Sequence, residues 1–311
     1  MASVKVPPSG IWAPAVTFFE DDELDLTSQA KYYTYLSKHL TGLVILGTNA
    51  ETFLLTREER AALLRTAREA VGPEYPIMAG VSGHSSKQVL EFIKDAHDAK
   101  ADYALVLPCS YFGKQTTPKV VSGFYEEIAS KSPLPIVIYN FPAVCNGVDL
   151  DSEVMIDLAR KHKNIVGTKL TCASVGKITR FAATFRPDEF AVFGGQSDFL
   201  IGGLSVGSAG CIAAFANIFP KTITRIYDLY KQGKTDEALK WHQIAAVAES
   251  FSKAGIANTK YAASITSAKS AGIEGAEAKL SPRRPYEPPT EAVKKDIQSK
   301  MVEMIEIENS L

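Results

Sequence analysis

Eight short apolar runs, each rich in β-branched residues, alternate with longer amphipathic runs from Ile11 to Phe215. The apolar runs show almost no polar interruption, as at positions 43–46 and 136–138. Such continuity indicates strands buried on both faces, as in a parallel sheet covered by helices, whereas a sandwich strand would alternate. The predicted strands are 11–19, 42–48, 76–82, 103–108, 135–141, 165–170, 190–195 and 209–215.

The amphipathic runs carry helix start signals. Thr56 and Glu59 match a capping box, and Ser85 precedes a stripe that includes Ile93 and His97 and is predicted to be buried. Eight strands alternating with helices predict a (β/α)8 TIM barrel, a fold of about 250 residues. A doubly wound open sheet is the alternative, although no Gly-x-Gly-x-x-Gly turn follows the first strand.

The strand pattern stops near Gly233. We therefore predict a barrel domain over residues 1–232 and a C-terminal helical extension over 233–311 that packs on the barrel, with helices at 235–251, 258–270 and 290–308. The proline-rich segment 281–289 is predicted to cross the surface in an extended form, with Arg283 and Arg284 in a solvated turn.

The composition argues against several classes of partner. The 34 basic and 35 acidic residues balance, so nothing favours nucleic acid or a membrane surface. The cysteines lack the short spacings of zinc or redox motifs, which favours reduced thiols. No apolar run reaches transmembrane length, and residues 1–10 lack the apolar stretch of a secretory signal. We therefore expect a cytoplasmic location.

The residues that close each apolar run are the candidates for chemistry, because active sites of (β/α)8 barrels lie at the carboxyl ends of the strands. Lys169 closes the sixth run. Desolvation at such a position favours a neutral amine, which can attack a ketone. Taken alone, Lys169 is equally compatible with an ion pair to a carboxylate at a strand end.

Three hydroxyls follow neighbouring runs, from Thr48, Tyr111 and Tyr139. A Schiff-base enzyme needs such groups to move protons when the carbinolamine forms and dehydrates, and again when the aldol hydroxyl is deprotonated. A single tyrosine at a strand end is often a packing residue. Their common location at one end of successive strands favours the catalytic interpretation.

The whole pattern resembles the class I pyruvate-dependent aldolases and lyases, a family that includes N-acetylneuraminate lyase and dihydrodipicolinate synthase. The resemblance covers nearly the whole chain. The family's Gly-Thr-Thr-Gly-Glu segment, which binds the keto-acid carboxylate, corresponds to residues 47–51. Its Tyr-Asn-x-Pro and Gly-x-Lys segments correspond to residues 139–142 and 167–169.

The resemblance implies roles for these residues. Lys169 would form the Schiff base, Tyr139 would be the general acid and base, and Tyr111 would enter from a partner subunit to complete the relay with Thr48. The carboxylate and the pyruvyl group would contact Thr48, Asn49, Gly195 and Ile212. It also implies a homotetramer built as a dimer of dimers, a small keto-acid substrate, and no cofactor.

One departure concerns the substrate. Dihydrodipicolinate synthases place an arginine after the Tyr-Asn-x-Pro segment to recognise a second carboxylate, whereas residues 142–147 contain none and are one residue longer. Asn140, Asn146 and Thr171 offer neutral hydrogen-bonding groups instead. Residues 144–147 and 169–172 most resemble the fungal aldolases that cleave 2-keto-3-deoxy-L-galactonate to pyruvate and L-glyceraldehyde in D-galacturonate catabolism. A 4-hydroxy-2-oxoglutarate aldolase or a dihydrodipicolinate synthase-like condensing enzyme is the alternative.

Two interpretations that assign the chain to other classes of protein stay open. One is a non-catalytic barrel that binds a sugar acid, and the other is a metal-dependent class II aldolase. The metal-dependent reading has little support, because no histidine joins a carboxylate in a ligand cluster at a strand end. We therefore predict no metal site. The histidines are His39, His84, His97, His162 and His242.

Overall fold

In the computed structural model, which describes residues 5–311, the eight apolar runs form parallel strands that close into a barrel. The first strand pairs with both the second and the last barrel strand, so the barrel prediction is confirmed and the open sheet is wrong. A two-stranded hairpin lies outside the barrel. The strands are β1 (Gly10–Pro14), β2 (Phe19–Glu20), β3 (Glu23–Leu24), β4 (Gly42–Ile45), β5 (Ile77–Gly80), β6 (Tyr103–Val106), β7 (Ile136–Asn140), β8 (Ile165–Leu170), β9 (Ala191–Gly194) and β10 (Gly210–Ile212).

The first strand is shorter than predicted because side chains bind the backbone that follows it. Asn217 Oδ1 accepts from Val16 N (3.3 Å), and Gln29 accepts from Phe18 N (3.0 Å) while donating to Val16 O (3.1 Å). These groups therefore cannot join the barrel ladder, and β1 ends at Pro14. Phe19, the last residue of the predicted strand, belongs to the hairpin instead.

Helices cover the barrel, and the predicted starts at Thr56 and Ser85 are confirmed by side-chain caps. His97, which the helical pattern predicts to be buried, is exposed, and Ala96 is buried in its place. The α-helices are α1 (Leu26–Ser37), α2 (Arg57–Val71), α3 (Ser86–Asp98), α4 (Pro118–Lys131), α5 (Ser152–Lys161), α6 (Val175–Thr184), α7 (Leu200–Ser205), α8 (Pro220–Lys231), α9 (Thr235–Glu249), α10 (Ile256–Ile265), α11 (Ser267–Ser270), α12 (Ala276–Lys279) and α13 (Glu291–Ser310).

The barrel interior is packed with side chains and closed at its amino-terminal end. Trp12 Nε1 donates to Pro8 O (3.1 Å), and Tyr103 OH donates to Val6 O (3.1 Å), so the chain before β1 covers that end. The carboxyl ends of the strands therefore form the candidate mouth. The interior cluster consists of Trp12, Val44, Met78, Tyr103, Leu105, Leu107, Val137, Tyr139, Cys145, Val166, Ala191, Phe193 and Ile212.

Helices after residue 233 pack on the barrel through polar contacts as well as apolar ones. Lys279 pairs with Asp25 (2.7 Å), and the buried Glu308 accepts from Thr222 N (2.8 Å). The domain boundary at residues 232 and 233 stays a prediction. Within residues 5–311, no helix is both long and apolar enough to cross a bilayer.

Only half of the prediction for the basic pair in the proline-rich segment is confirmed. Arg284 is exposed as expected. Arg283 is instead an ion-pairing residue, because its guanidinium contacts Glu59 Oε2 (2.7 Å) and lies 5.1 Å from the ring centre of Phe19. The partners are far away in sequence, so local composition gave no sign of them.

Candidate active site

Lys169 and Tyr139 lie side by side on β8 and β7, facing the barrel interior. They are register partners, and Lys169 Nζ lies 4.2 Å from the ring centre of Tyr139. Both residues are buried, at 2% and 3% exposure. Within residues 5–311 Lys169 joins no ion pair, whereas the buried Lys177 and Lys260 each do. The ion-pair alternative for Lys169 is therefore wrong, and its amine stands beside a phenol.

Thr48 lies next to Tyr139 at the carboxyl end of the barrel. After β4 and Gly47, residues Thr48–Ala50 form a short 3-10 helix. This turn brings Thr48 Oγ1 to 3.4 Å from Tyr139 OH, the distance that the predicted proton relay between the two hydroxyls requires. Asn49 is half-buried beside it.

Glu51 and Lys260 are functional candidates that the sequence analysis missed. Glu51 Oε1 accepts a 2.5 Å hydrogen bond from Lys260 Nζ of α10, and both side chains are almost fully buried. Burial lowers the pKa of Lys260, and the neighbouring Glu51 carboxylate opposes that shift. The one available signal was a single lysine inside the otherwise uncharged run 256–265.

Thr171 and Gly195 directly follow β8 and β9, and Ile212 ends β10, so all three lie at the carboxyl ends of barrel strands. A Cβ on Gly195 would lie 2.0 Å from Thr171 Oγ1 and 2.5 Å from Thr171 Cα, so only glycine fits there. Thr171 Oγ1 is buried and has no hydrogen-bond partner among residues 5–311, which makes it a candidate group for a ligand. Ile212 is fully buried at the end of β10.

Asn140 and Asn146 hold loops rather than facing the mouth. Asn140 follows the inward Tyr139, so strand alternation turns it outward, where it donates to Asp149 Oδ1 (2.6 Å) and accepts from Leu150 N (3.0 Å). Asn146 is exposed and donates to Ser110 O (2.8 Å), which fixes the loop before Tyr111. The outward position of Asn140 argues against its predicted substrate-binding role, and the role of Asn146 stays a prediction.

Tyr111 is 70% exposed and makes no hydrogen bond with Tyr139 or Thr48 inside the described chain. Its ring contacts His84 edge to face at 5.6 Å and Phe112 at 5.2 Å. Phe53 stacks on His84 and is also largely exposed. One chain therefore assembles the pair Thr48 and Tyr139 without Tyr111.

Residues 5–311 contain no cluster of three or more histidine, cysteine, aspartate or glutamate side chains arranged to hold a metal ion. The mouth instead presents a buried amine with a phenol beside it and a hydroxyl within reach of the phenol. On a (β/α)8 barrel this is the arrangement of a class I, Schiff-base aldolase or lyase.

Comparison with known proteins agrees with this class. The model of the dihydrodipicolinate synthetase family matches residues 7–305, and the chain belongs to that family, whose members are class I Schiff-base enzymes. A protein of Coccidioides immitis, provisionally named a mitochondrial 4-hydroxy-2-oxoglutarate aldolase, is 65% identical over 99% of both chains. An L-threo-3-deoxy-hexylosonate aldolase of Hypocrea jecorina is 39% identical over 82% of this chain and 85% of its own.

The fold agrees equally well with a solved structure. A crystal structure of a dihydrodipicolinate synthase family protein from Coccidioides immitis superposes with a TM-score of 0.93 at 62% identity, covering 99% of both chains. The barrel and its C-terminal helical extension therefore form one arrangement shared with this relative.

Proposed function

We propose that this class I aldolase cleaves 2-keto-3-deoxy-L-galactonate to pyruvate and L-glyceraldehyde in D-galacturonate catabolism. The observation that carries the proposal is the buried Lys169 amine, free of any carboxylate within residues 5–311 and 4.2 Å from the ring centre of Tyr139. A lysine in such surroundings suits covalent catalysis on a ketone better than it suits a structural ion pair.

In the proposed reaction Lys169 Nζ attacks C2 of the keto acid, Tyr139 OH protonates the carbinolamine hydroxyl, and loss of water gives a protonated imine and a Tyr139 phenolate. Tyr139 then takes the proton of the C4 hydroxyl, the C3–C4 bond breaks, and its electron pair moves into the imine to give an enamine and the aldehyde. Protonation at C3 and addition of water release pyruvate and restore the amine. Thr48, 3.4 Å from Tyr139 OH, passes the proton onward. Thr48 and Asn49 hold the carboxylate.

The side chains at the mouth favour a substrate whose aldehyde portion is uncharged. Residues 142–147 carry no arginine, so that segment has no bidentate donor for a second carboxylate. Thr171 offers a buried hydroxyl, without a partner in the described part of the chain, that suits a polyhydroxylated tail. The name of the Hypocrea jecorina relative fits this substrate class.

A second candidate is cleavage of 4-hydroxy-2-oxoglutarate to pyruvate and glyoxylate. The observation in its favour is the name carried by the Coccidioides immitis relative at 65% identity. Specificity constants measured for the two substrates, together with condensation of pyruvate and aspartate semialdehyde, decide between them. We expect the sugar acid to give the highest value. A clear preference for either acidic partner would refute the substrate assignment and leave the Schiff-base mechanism standing.

We also propose a homotetramer in which Tyr111 of one subunit reaches the site of another, which accounts for a 70% exposed tyrosine beside exposed aromatic neighbours. All four cysteines are free, which fits a reducing compartment. The cytoplasmic location stays a prediction, and the name of the Coccidioides immitis relative gives mitochondria as the alternative.

A further inference from the structure

We propose that Lys260 is a positioning residue which the C-terminal extension supplies to the pyruvate site. It holds residues 47–51, here named the carboxylate loop, through its buried ion pair with Glu51. The inference rests on the proposed function, because the carboxylate loop matters only if a keto acid binds there. On this proposal, a residue outside the barrel strands contributes to the affinity of the site for the keto acid.

The side-chain hydrogen bonds of Glu51 go to residues of the C-terminal extension. Its Oε1 accepts from Lys260 Nζ at 2.5 Å, and its Oε2 accepts from the backbone N–H of Arg283 at 2.7 Å. Lys260 Nζ also donates to Ser281 O at 3.0 Å and lies 4.7 Å from the ring centre of Phe19. The Glu51 carboxylate is therefore bound through one oxygen by helix α10 and through the other by the backbone of the segment 281–283.

Glu51 is also the residue on which the shape of the carboxylate loop depends. It ends the turn that carries Thr48 and Asn49, and its own N–H donates to Thr48 O at 3.0 Å. Its φ of 58° lies in the left-handed region, which a residue with a side chain adopts at a cost in free energy. The buried ion pair opposes relaxation of that backbone, so its loss is expected to shift Thr48 and Asn49.

The expected effect is on affinity more than on turnover. A loop that binds the keto-acid carboxylate contacts a group that does not change charge during the reaction, so it stabilises the bound substrate and the transition state alike. Removing such an interaction raises KM and the pyruvate concentration needed for imine formation. The fall in kcat is smaller and comes from the displacement of Thr48 in the proton relay.

The test uses Lys260→Met, the double variant Lys260→Met/Glu51→Gln, and the control Lys279→Met. Lys279 also ties the extension to the barrel, through Asp25 at 2.7 Å, but its partner caps α1 and does not contact the carboxylate loop. The readout is the pyruvate concentration that gives half-maximal borohydride trapping on Lys169. Thermal unfolding is measured alongside.

We expect Lys260→Met to lower the melting temperature, because it leaves a buried carboxylate without its cation. The double variant removes both charges, so it should regain most of that stability yet still need about tenfold or more pyruvate for half-maximal trapping. Lys279→Met should trap at the wild-type concentration.

Half-saturation equal to wild type in the folded double variant would overturn the positioning role, and so would an equal shift in Lys279→Met, which would indicate general loosening of the extension. Absence of any adduct on the wild type would refute the proposed function itself. An adduct on wild type with unchanged variants would refute only this inference.

Discussion

Replacing Tyr139 with phenylalanine tests the proton relay while sparing the packing of the barrel. The ring, which lies 4.2 Å from Lys169 Nζ and 5.9 Å from the ring centre of Phe141, is retained, and only the hydroxyl facing Thr48 is lost. The lost hydrogen bond is long at 3.4 Å, so the free energy of unfolding should fall by less than about 1 kcal/mol.

The effect on chemistry should be much larger. Loss of a general acid–base group lowers kcat by about 10²-fold, which corresponds to about 2.7 kcal/mol of transition-state stabilisation. Steady-state cleavage of the keto acid gives kcat and KM, and thermal unfolding gives the change in stability. A kcat equal to that of the wild type would remove Tyr139 from the relay.

Tyr75→Phe is the matched control. Tyr75 OH donates to Leu40 O at 2.9 Å, near the start of β4 and therefore at the end of the barrel opposite the mouth. We expect about 1 kcal/mol loss of stability with kcat unchanged. A matching fall of kcat in this variant would mean that the loss in Tyr139→Phe reflects general destabilisation.

Gly195→Ala should abolish keto-acid binding, because the added methyl would lie 2.0 Å from a side-chain oxygen, whereas Gly123→Ala, with nothing within 4 Å, should leave the kinetics unchanged; equal kinetics in the two variants would contradict the close approach. Mixed oligomers of Lys169→Ala and Tyr111→Phe subunits should recover some activity if the tyrosine crosses between subunits, and verified mixtures without recovery count against it. EDTA should leave turnover unaltered, while a loss restored by added metal would support the class II alternative. Burial raises the pKa of Glu249 to about 7, so this carboxyl stabilises the fold below its unfolded pKa, and that contribution disappears as the pH rises through about 7. Glu249→Gln should therefore gain stability relative to wild type, by up to roughly 3 kcal/mol, when the pH is raised from about 5 to about 8, and a pH-independent difference in melting temperature would be the contrary result.

The barrel and its central residues were predictable because they depend on local patterns. Continuous apolar runs specify parallel strands, and strand ends specify where Lys169 and Tyr139 lie. The alternation of side chains along a strand carries further information, which residue type alone does not give. Tyr139 faces inward, so its neighbour Asn140 faces outward and binds Asp149 instead of a substrate.

Contacts between distant segments were not predictable in this way. Glu51 and Lys260 are 209 positions apart, and the pairing of Arg283 with Glu59 spans 224. Nothing in the local sequence around Arg283 distinguishes a solvated turn from a partly buried ion pair, because the packing of the whole chain determines the partner. The first strand ended early for a related reason, since Asn217 is 201 positions from the backbone group that it binds.

The most direct test of the central claim is to incubate the protein with pyruvate and borohydride and to locate the reduced adduct by peptide mass spectrometry. We expect one pyruvyl adduct per chain, on Lys169, and none on Lys169→Ala, which should still fold because its fold does not depend on an ion pair of that lysine. Lys177→Ala serves as the comparison, since that lysine is buried but bound to Asp149 at 2.5 Å, and this variant should still form the adduct. An adduct on another lysine, or turnover that survives Lys169→Ala, would show that Lys169 does not form the Schiff base.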